Sequence, residues 1–144
     1  MRSLLDVNVI LALIDYDHAF HFRSHEWWEN AKGNGWASCP LTENGVVRIM
    51  SHPRYADPEE YKPREIISWL TQFSRNSDHE FWPDDLSLTD TEQFNHDHIL
   101  GPRQITDHYL LALAVSRNAA FVTFDRSIST GAVKNALPGH LLVI

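Results

Sequence analysis

The chain has 144 residues, 43% of them hydrophobic, with five Trp, four Tyr and seven Phe, and a formal net charge of −7 with His neutral. That composition excludes a disordered chain, which is poor in apolar residues. It also argues against nucleic-acid binding through a broad basic face, unless part of the negative charge is a metal site. Length and composition suit one domain over residues 1–144. The single Cys39 has no partner for an internal disulfide, which makes an intracellular, cytoplasmic protein the expectation. Asp6 interrupts the first apolar run, so no signal peptide is expected. No apolar run approaches the roughly 20 residues that span a bilayer.

In chain order, Ser3 to Leu5 is a short apolar start that reaches Asp6. The run Val7 to Ile14 can continue it as one long strand or form a short buried helix. Asp6 and Asn8 favour the break, because acids and amides prefer strand ends to strand interiors. Phe20, Trp27, Trp28 and Ala31 recur at helical spacing over Phe20 to Lys32, and Gly33, Asn34 and Gly35 stop that helix. Trp36 to Cys39 reads as a second strand. Pro40 suits the first turn of the next helix, with Glu43 where the helix dipole stabilises negative charge.

His52 to Pro63 is a proline-rich loop. A helix with the apolar stripe Ile66, Ile67, Leu70 and Phe73 follows it and is broken by Asn76 to Asp78. Glu80 to Trp82 suits a third strand. Thr89 to Glu92 has the Thr-x-x-Glu form of a capping box and predicts a short helix to about His98. The run from Tyr109 to Val115 is apolar on all sides and predicts a buried helix that carries Asp107 in its first turn. Arg117 and Asn118 suit its end. Ala119 to Phe124 is a buried strand closed by Asp125, and Leu141 to Ile144 is a last strand. Short apolar strands alternating with helices predict a mainly parallel sheet covered on both faces, an α/β fold.

Ligands of such sheets sit beyond the carboxyl ends of the strands. Asp6 and Asp125 end strands, and Glu43 opens a helix directly after one. Asp107 opens a helix that follows a loop, so the sheet does not force its position. Convergent carboxylates raise one another's pKa unless a cation sits among them. A hard divalent ion, Mg2+ or Mn2+, suits this donor set better than zinc, because no Cys or paired His accompanies it. Carboxylate-held Mg2+ suits phosphodiester hydrolysis. Each acid taken singly also suits a plain helix cap or strand end.

The segments LLDVNVILALI (Leu4 to Ile14), PLTENGVVRI (Pro40 to Ile49), ITDHYLLALAV (Ile105 to Val115) and FVTFD (Phe121 to Asp125) together resemble the PIN-domain family, in particular VapC-type toxins of toxin–antitoxin pairs. The resemblance implies a three-layer α/β/α fold around a mainly parallel sheet and a Mg2+- or Mn2+-dependent endoribonuclease. It implies that Asp6, Glu43, Asp107 and Asp125 are the catalytic, metal-binding acids, supported by Asn8 and Thr123. It also implies an RNA substrate, a cognate antitoxin and a homodimer. Arg103 and Arg126 are candidate contacts to RNA phosphate. Two other readings stay open: a PIN nuclease of RNA processing that is not a toxin, and an α/β interaction domain whose acids are only caps.

The remaining polar and aromatic clusters carry less. His18, His21 and His25, or His96 and His98, lack the further ligands of a zinc site. His108, beside Asp107, suits a structural role or contact with a neighbouring carboxylate. Trp27, Trp28, Trp69, Phe73, Phe81 and Trp82 suit core or an interface, or less directly a base-stacking surface. Cys39 is expected to be a buried small residue and not a nucleophile.

Overall fold

The structure is a computed structural model that describes residues 1–144. Five strands, β1 (Ser3–Leu5), β2 (Trp36–Ser38), β3 (His79–Phe81), β4 (Ala120–Thr123) and β5 (Leu141–Val143), form one sheet in the order β3-β2-β1-β4-β5. Every pairing is parallel, with Leu4 opposite both Ala37 and Phe121. The carboxyl ends of all five strands therefore share one edge. The helices are α1 (Val7–Ile14), α2 (His21–Ala31), α3 (Pro40–Met50), α4 (Pro63–Arg75) and α5 (Ile105–Ser116).

Strand order decides which face each helix covers. The chain steps outward from β1 to β3 with α1 to α4 in the connections, then returns across the sheet through α5 to β4. Crossovers of one hand put the helices of opposite steps on opposite faces. Side chains alternate along each strand accordingly. Leu5, Trp36 and Val122 join the core under α1, α2, α3 and α4, while Leu4, Ala37 and Phe121 join the core under α5. The result is the expected three-layer α/β/α arrangement.

Helix α5 is buried from His108 to Ala114, as its uninterrupted apolar run requires. Leu110, Leu111 and Leu113 are within 1% of full burial, and each contributes roughly 1.5–3 kcal/mol. The helix ends with Asn118 in the left-handed conformation (φ 50°). The Asn118 N–H donates to the Val115 carbonyl and the Ala119 N–H to the Ala114 carbonyl, the paired bonds of a Schellman cap. At the other end of the sheet, Arg2 holds β1 to β3 through Asp78 (3.0 Å) and Glu80 (3.1 Å), passing over Gly35. Gly35 has φ +74°, and a Cβ there would overlap the Arg2 guanidinium.

The helix expected from Thr89 to about His98 does not form. The segment is turn from Thr89, with one 3-10 turn at His96–His98. Thr89 Oγ1 bonds Ser87 Oγ instead of capping, and Asp90 Oδ1 accepts the Glu92 N–H, so local side chains compete with the helical ladder. Phe94 is buried under α5 and pairs antiparallel with Val133, which pulls the backbone out of a helical path.

The loop between α3 and α4 is tied to the end of α1. Tyr55 and Tyr61 donate to the two oxygens of buried Asp15 at 2.6 and 3.0 Å. The histidines also serve the backbone: His21 Nδ1 and His25 Nε2 sit 2.8 and 2.9 Å from carbonyls in the last turn of α1, those of Ala12 and Leu13. Trp28, Trp36 and Trp82 are core, while Phe81 is exposed. No helix is long and apolar enough to cross a membrane.

Candidate active site at the carboxyl edge of the sheet

Asp6 follows the central strand β1, where the order of the strands reverses and neighbouring connections leave to opposite faces. Such switch points form crevices in α/β folds. Its backbone is extended (φ −60°, ψ 151°), and its carboxylate does not close a side-chain cap on α1. Instead Asp6 Oδ2 accepts the Thr123 hydroxyl at 2.7 Å, and the N–H groups of Val7 and Asn8 face the carboxylate. Asp6 is 8% exposed. Burial pushes its carboxyl above the usual Asp range, and the charge of Asp125 adds to that rise against the hydrogen bonds that lower it.

Asp107 lies in the first turn of α5, half-buried. No hydrogen bond or ion pair reaches its carboxylate. Burial first, then the charges of Asp6 and Asp125, push it up to about 6. Asp125 is exposed just past β4, and Ser127 holds its Oδ1 through both the hydroxyl and the backbone N–H, each at 2.7 Å. Those bonds bring the Asp125 carboxyl below its usual range. Asp107 thus joins Asp6 and Asp125 across the edge, a position that the preceding loop left open.

Glu43 stands at the side of this group. Val7 of α1 packs against Gly45 of α3 so closely that a Cβ on Gly45 would lie 2.7 Å from a Val7 methyl. That approach sets the first turn of α3 beside the start of α1. Glu43 Oε1 accepts the hydroxyl of buried Ser38 at 2.6 Å, and Ser38 Oγ lies 2.8 Å from His79 Nε2. Ser38 has one hydroxyl proton. With that proton given to Glu43, His79 must donate from Nε2, so the chain His79 to Ser38 to Glu43 fixes both the His tautomer and the Glu rotamer. Burial lowers the pKa of His79, in keeping with a neutral ring.

Asn8 is exposed, and its side chain bonds none of the acids; it contributes its backbone N–H. Thr123 bridges two of them, donating to Asp6 and accepting the Asp125 N–H at 3.1 Å. Arg103 and Arg126 are exposed and outside all six ion pairs. Ser38, His79 and Ser127 are the partners of these acids that sequence reasoning missed. The Asp-x-Ser spelling of 125–127 signals an Asx turn, whereas nothing local pairs Ser38 with a histidine 41 residues away. Cys39 is fully buried, and burial pushes its thiol up to about 11, as suits a small core residue.

In this arrangement no three His, Cys, Asp or Glu side chains stand close enough together to hold one metal ion. The donor chemistry nevertheless suits a hard divalent cation. The set is all carboxylate, three of its members act on one another electrostatically, and none has a Lys or Arg partner. The unpartnered, half-buried Asp107 is the acceptor such an ion would satisfy.

Residues 3–133 match the model of the PIN domain. The chain is 44% identical over 144 residues to Ribonuclease VapC44 of Mycobacterium tuberculosis (strain CDC 1551 / Oshkosh), covering all of both chains. It is 38% identical to Ribonuclease VapC38 of Mycobacterium tuberculosis (strain ATCC 25618 / H37Rv), covering 99% of both. Among solved structures it resembles VapBC2 from Rickettsia felis, bound to a DNA fragment from their promoter, with a TM-score of 0.57 at 17% identity and coverage of 100% of this chain and 98% of that one. That likeness bears on the fold, and the closer relatives bear on the family. The chain belongs to the PIN-domain family, in its VapC branch.

Proposed function

We propose that this chain is an endoribonuclease, the toxin of a toxin–antitoxin pair, and that it works with Mg2+ or Mn2+. The relatives that cover its full length are named ribonucleases, and a structural neighbour is a VapBC assembly. The observation that carries the metal reading is Asp107, a half-buried carboxylate pushed up to about 6 beside Asp6 and Asp125 with no cationic side chain to offset them. Such a group gains most from a bound cation.

Asp6, Asp107 and Asp125 would hold the ion, with Glu43 reaching it directly or through water. When bound, the ion supplies an activated water and stabilises charge on the leaving oxygen of the phosphodiester. The protein's own part is orientation. Thr123 holds Asp6, Ser127 holds Asp125, and Ser38 under His79 holds Glu43. The carboxylates themselves are placed to accept a proton. Arg103 and Arg126 flank the edge as contacts to RNA phosphate. A cognate antitoxin that inserts a Lys or Arg among the acids would neutralise the same uncompensated charge, and the functional toxin is a homodimer.

The test is cleavage of total RNA with added Mg2+ or Mn2+, followed by sequencing of the new ends. Wild type cleaves, while chelation or Asp6→Asn abolishes cleavage. An Asp6→Asn protein that cuts as well as wild type removes the site assignment. A cation at about 100 times its Kd raises stability by about 2.7 kcal/mol, so the melting temperature rises with wild type only. Growth arrest on expression, relieved by a small neighbouring gene product, separates a toxin from a nuclease of RNA processing.

A further inference from the structure

A groove of about 750 Å3 runs between α3 and α4 and starts at Glu43. Its wall carries Arg48, Arg75, Thr71, Ser74 and His79, and Glu43 is its only acid. Arg48 and Arg75 are exposed, and neither guanidinium takes part in an ion pair or a hydrogen bond within the chain. Two free guanidinium groups lining one groove stand out in a chain of net charge −7. A neighbouring concavity continues from Arg48 along His52 and Arg54, extending the donors past the end of α3.

We propose that this groove binds the sugar–phosphate backbone of single-stranded RNA on one side of the scissile bond, with Arg48 and Arg75 each contacting a phosphate. The inference rests on the ribonuclease reading and deepens it. Charge complementarity selects the occupant, because the wall offers hydrogen-bond donors and positive charge while Glu43 at one end joins it to the carboxylate edge. Arginine suits phosphate through its planar fork of donors. Val47, Ile67 and Leu70 give the wall apolar area as well, so the two unpaired guanidinium groups, and not the wall's polarity, are what select a polyanion. Backbone contacts of this kind position a strand without reading its sequence. Placing them here also explains how an acidic protein holds a polyanion: attraction is confined to a track that leads to the acids.

The experiment measures binding of a labelled pool of random-sequence single-stranded RNA to the full chain carrying Asp6→Asn, in Mg2+, across a salt series. Arg48→Ala, Arg75→Ala and the double variant are compared with Lys134→Ala, which removes an exposed, unpaired cation elsewhere. Both arginines are exposed and unbonded, so the variants keep their fold, checked by melting temperature. The double variant binds about tenfold or more weakly, and the slope of log K against log[salt] falls by about 1.4, two contacts at roughly 0.7 each on single strands. Lys134→Ala has little effect. In the active protein the same pair raises KM for RNA and leaves kcat near wild type.

Unchanged affinity and slope in the double variant overturn the groove, even if wild type cleaves RNA. Unchanged RNA binding together with dissociation of a dimer in sedimentation, or loss of a protein partner, overturns it in favour of a protein interface. RNA held through the arginine pair by a protein that cuts none keeps the groove and sinks the nuclease reading.

Discussion

The Thr123 hydroxyl donates to Asp6 Oδ2 at 2.7 Å across 117 residues of sequence, while the Thr123 oxygen accepts the Asp125 N–H. One side chain thus orients two acids that end neighbouring strands. Thr123 is fully buried, so the bond is not shared with bulk water. Replacement by the near-isosteric valine leaves Asp6 buried without its donor. Thr123→Val is expected to cost about 1–3 kcal/mol of stability and to weaken Mn2+ binding by roughly 10–100-fold. Thr123→Ser retains the hydroxyl and recovers most of the affinity. Calorimetric titration with Mn2+ measures both, and equal affinity in valine and serine variants would remove the positioning role.

Asp107 makes stability depend on pH in a direction opposite to that of an ion-paired carboxylate. Its carboxyl sits at about 6 in the folded protein, against an ordinary value of 3.8. As pH rises past 3.8 the unfolded chain ionises first, so folded stability falls until pH passes about 6 and then levels. Because Asp107 is only half-buried, solvent screening reduces the effect to on the order of 1 kcal/mol. Without metal, Asp107→Asn is expected to melt higher than wild type near pH 7 and equally near pH 4. Added Mn2+ reverses the order near pH 7, because only the carboxylate completes the cation site. A difference between the two proteins that does not vary with pH contradicts the coupling.

Gly45 tests the contact that places Glu43. A Cβ at this position would lie 2.7 Å from a Val7 methyl, and the β-branched Val7 has one strongly preferred rotamer in a helix. Gly45→Ala should force α3 away from α1, with overpacking at a cost of about 1–3 kcal/mol. Because Glu43 is only two residues away on the same helix, more Mn2+ should be needed for half-maximal cleavage. The double variant Val7→Ala with Gly45→Ala removes the methyl that Gly45 avoids and should recover much of the lost stability. Denaturant melts and metal titrations of the three proteins read this out, and a stable Gly45→Ala with wild-type metal demand shows that the helix start is placed by other contacts.

Much of this protein is determined locally and can be read along the chain. Short apolar runs, breakers such as Gly33 to Gly35, and an apolar run too continuous for an exposed helix mark most of the strands and helices. Strand β3, spelled His-Glu-Phe, was expected one residue later at Glu80 to Trp82, and Val7 to Ile14 suited a long strand as well as the helix it forms. Asp6, Glu43 and Asp125 are placed by the same local signals, since each adjoins a strand end that parallel pairing brings to one edge. The Thr-x-x-Glu signal at Thr89 failed because it, too, is local. Burial of Phe94 and its pairing with Val133, 39 residues on, outweighed one turn of capping.

Only the tertiary structure decided the strand order, the hold of Thr123 on Asp6, the chain from His79 through Ser38 to Glu43, and the meeting of Arg48 with Arg75 across one groove. Each of these joins residues distant in sequence, and no local propensity encodes such a pairing. The apolar pattern specifies which segments must be buried. Which polar groups then face one another follows from how the helices pack on the sheet, where a buried carboxylate must find a donor, a cation or a proton.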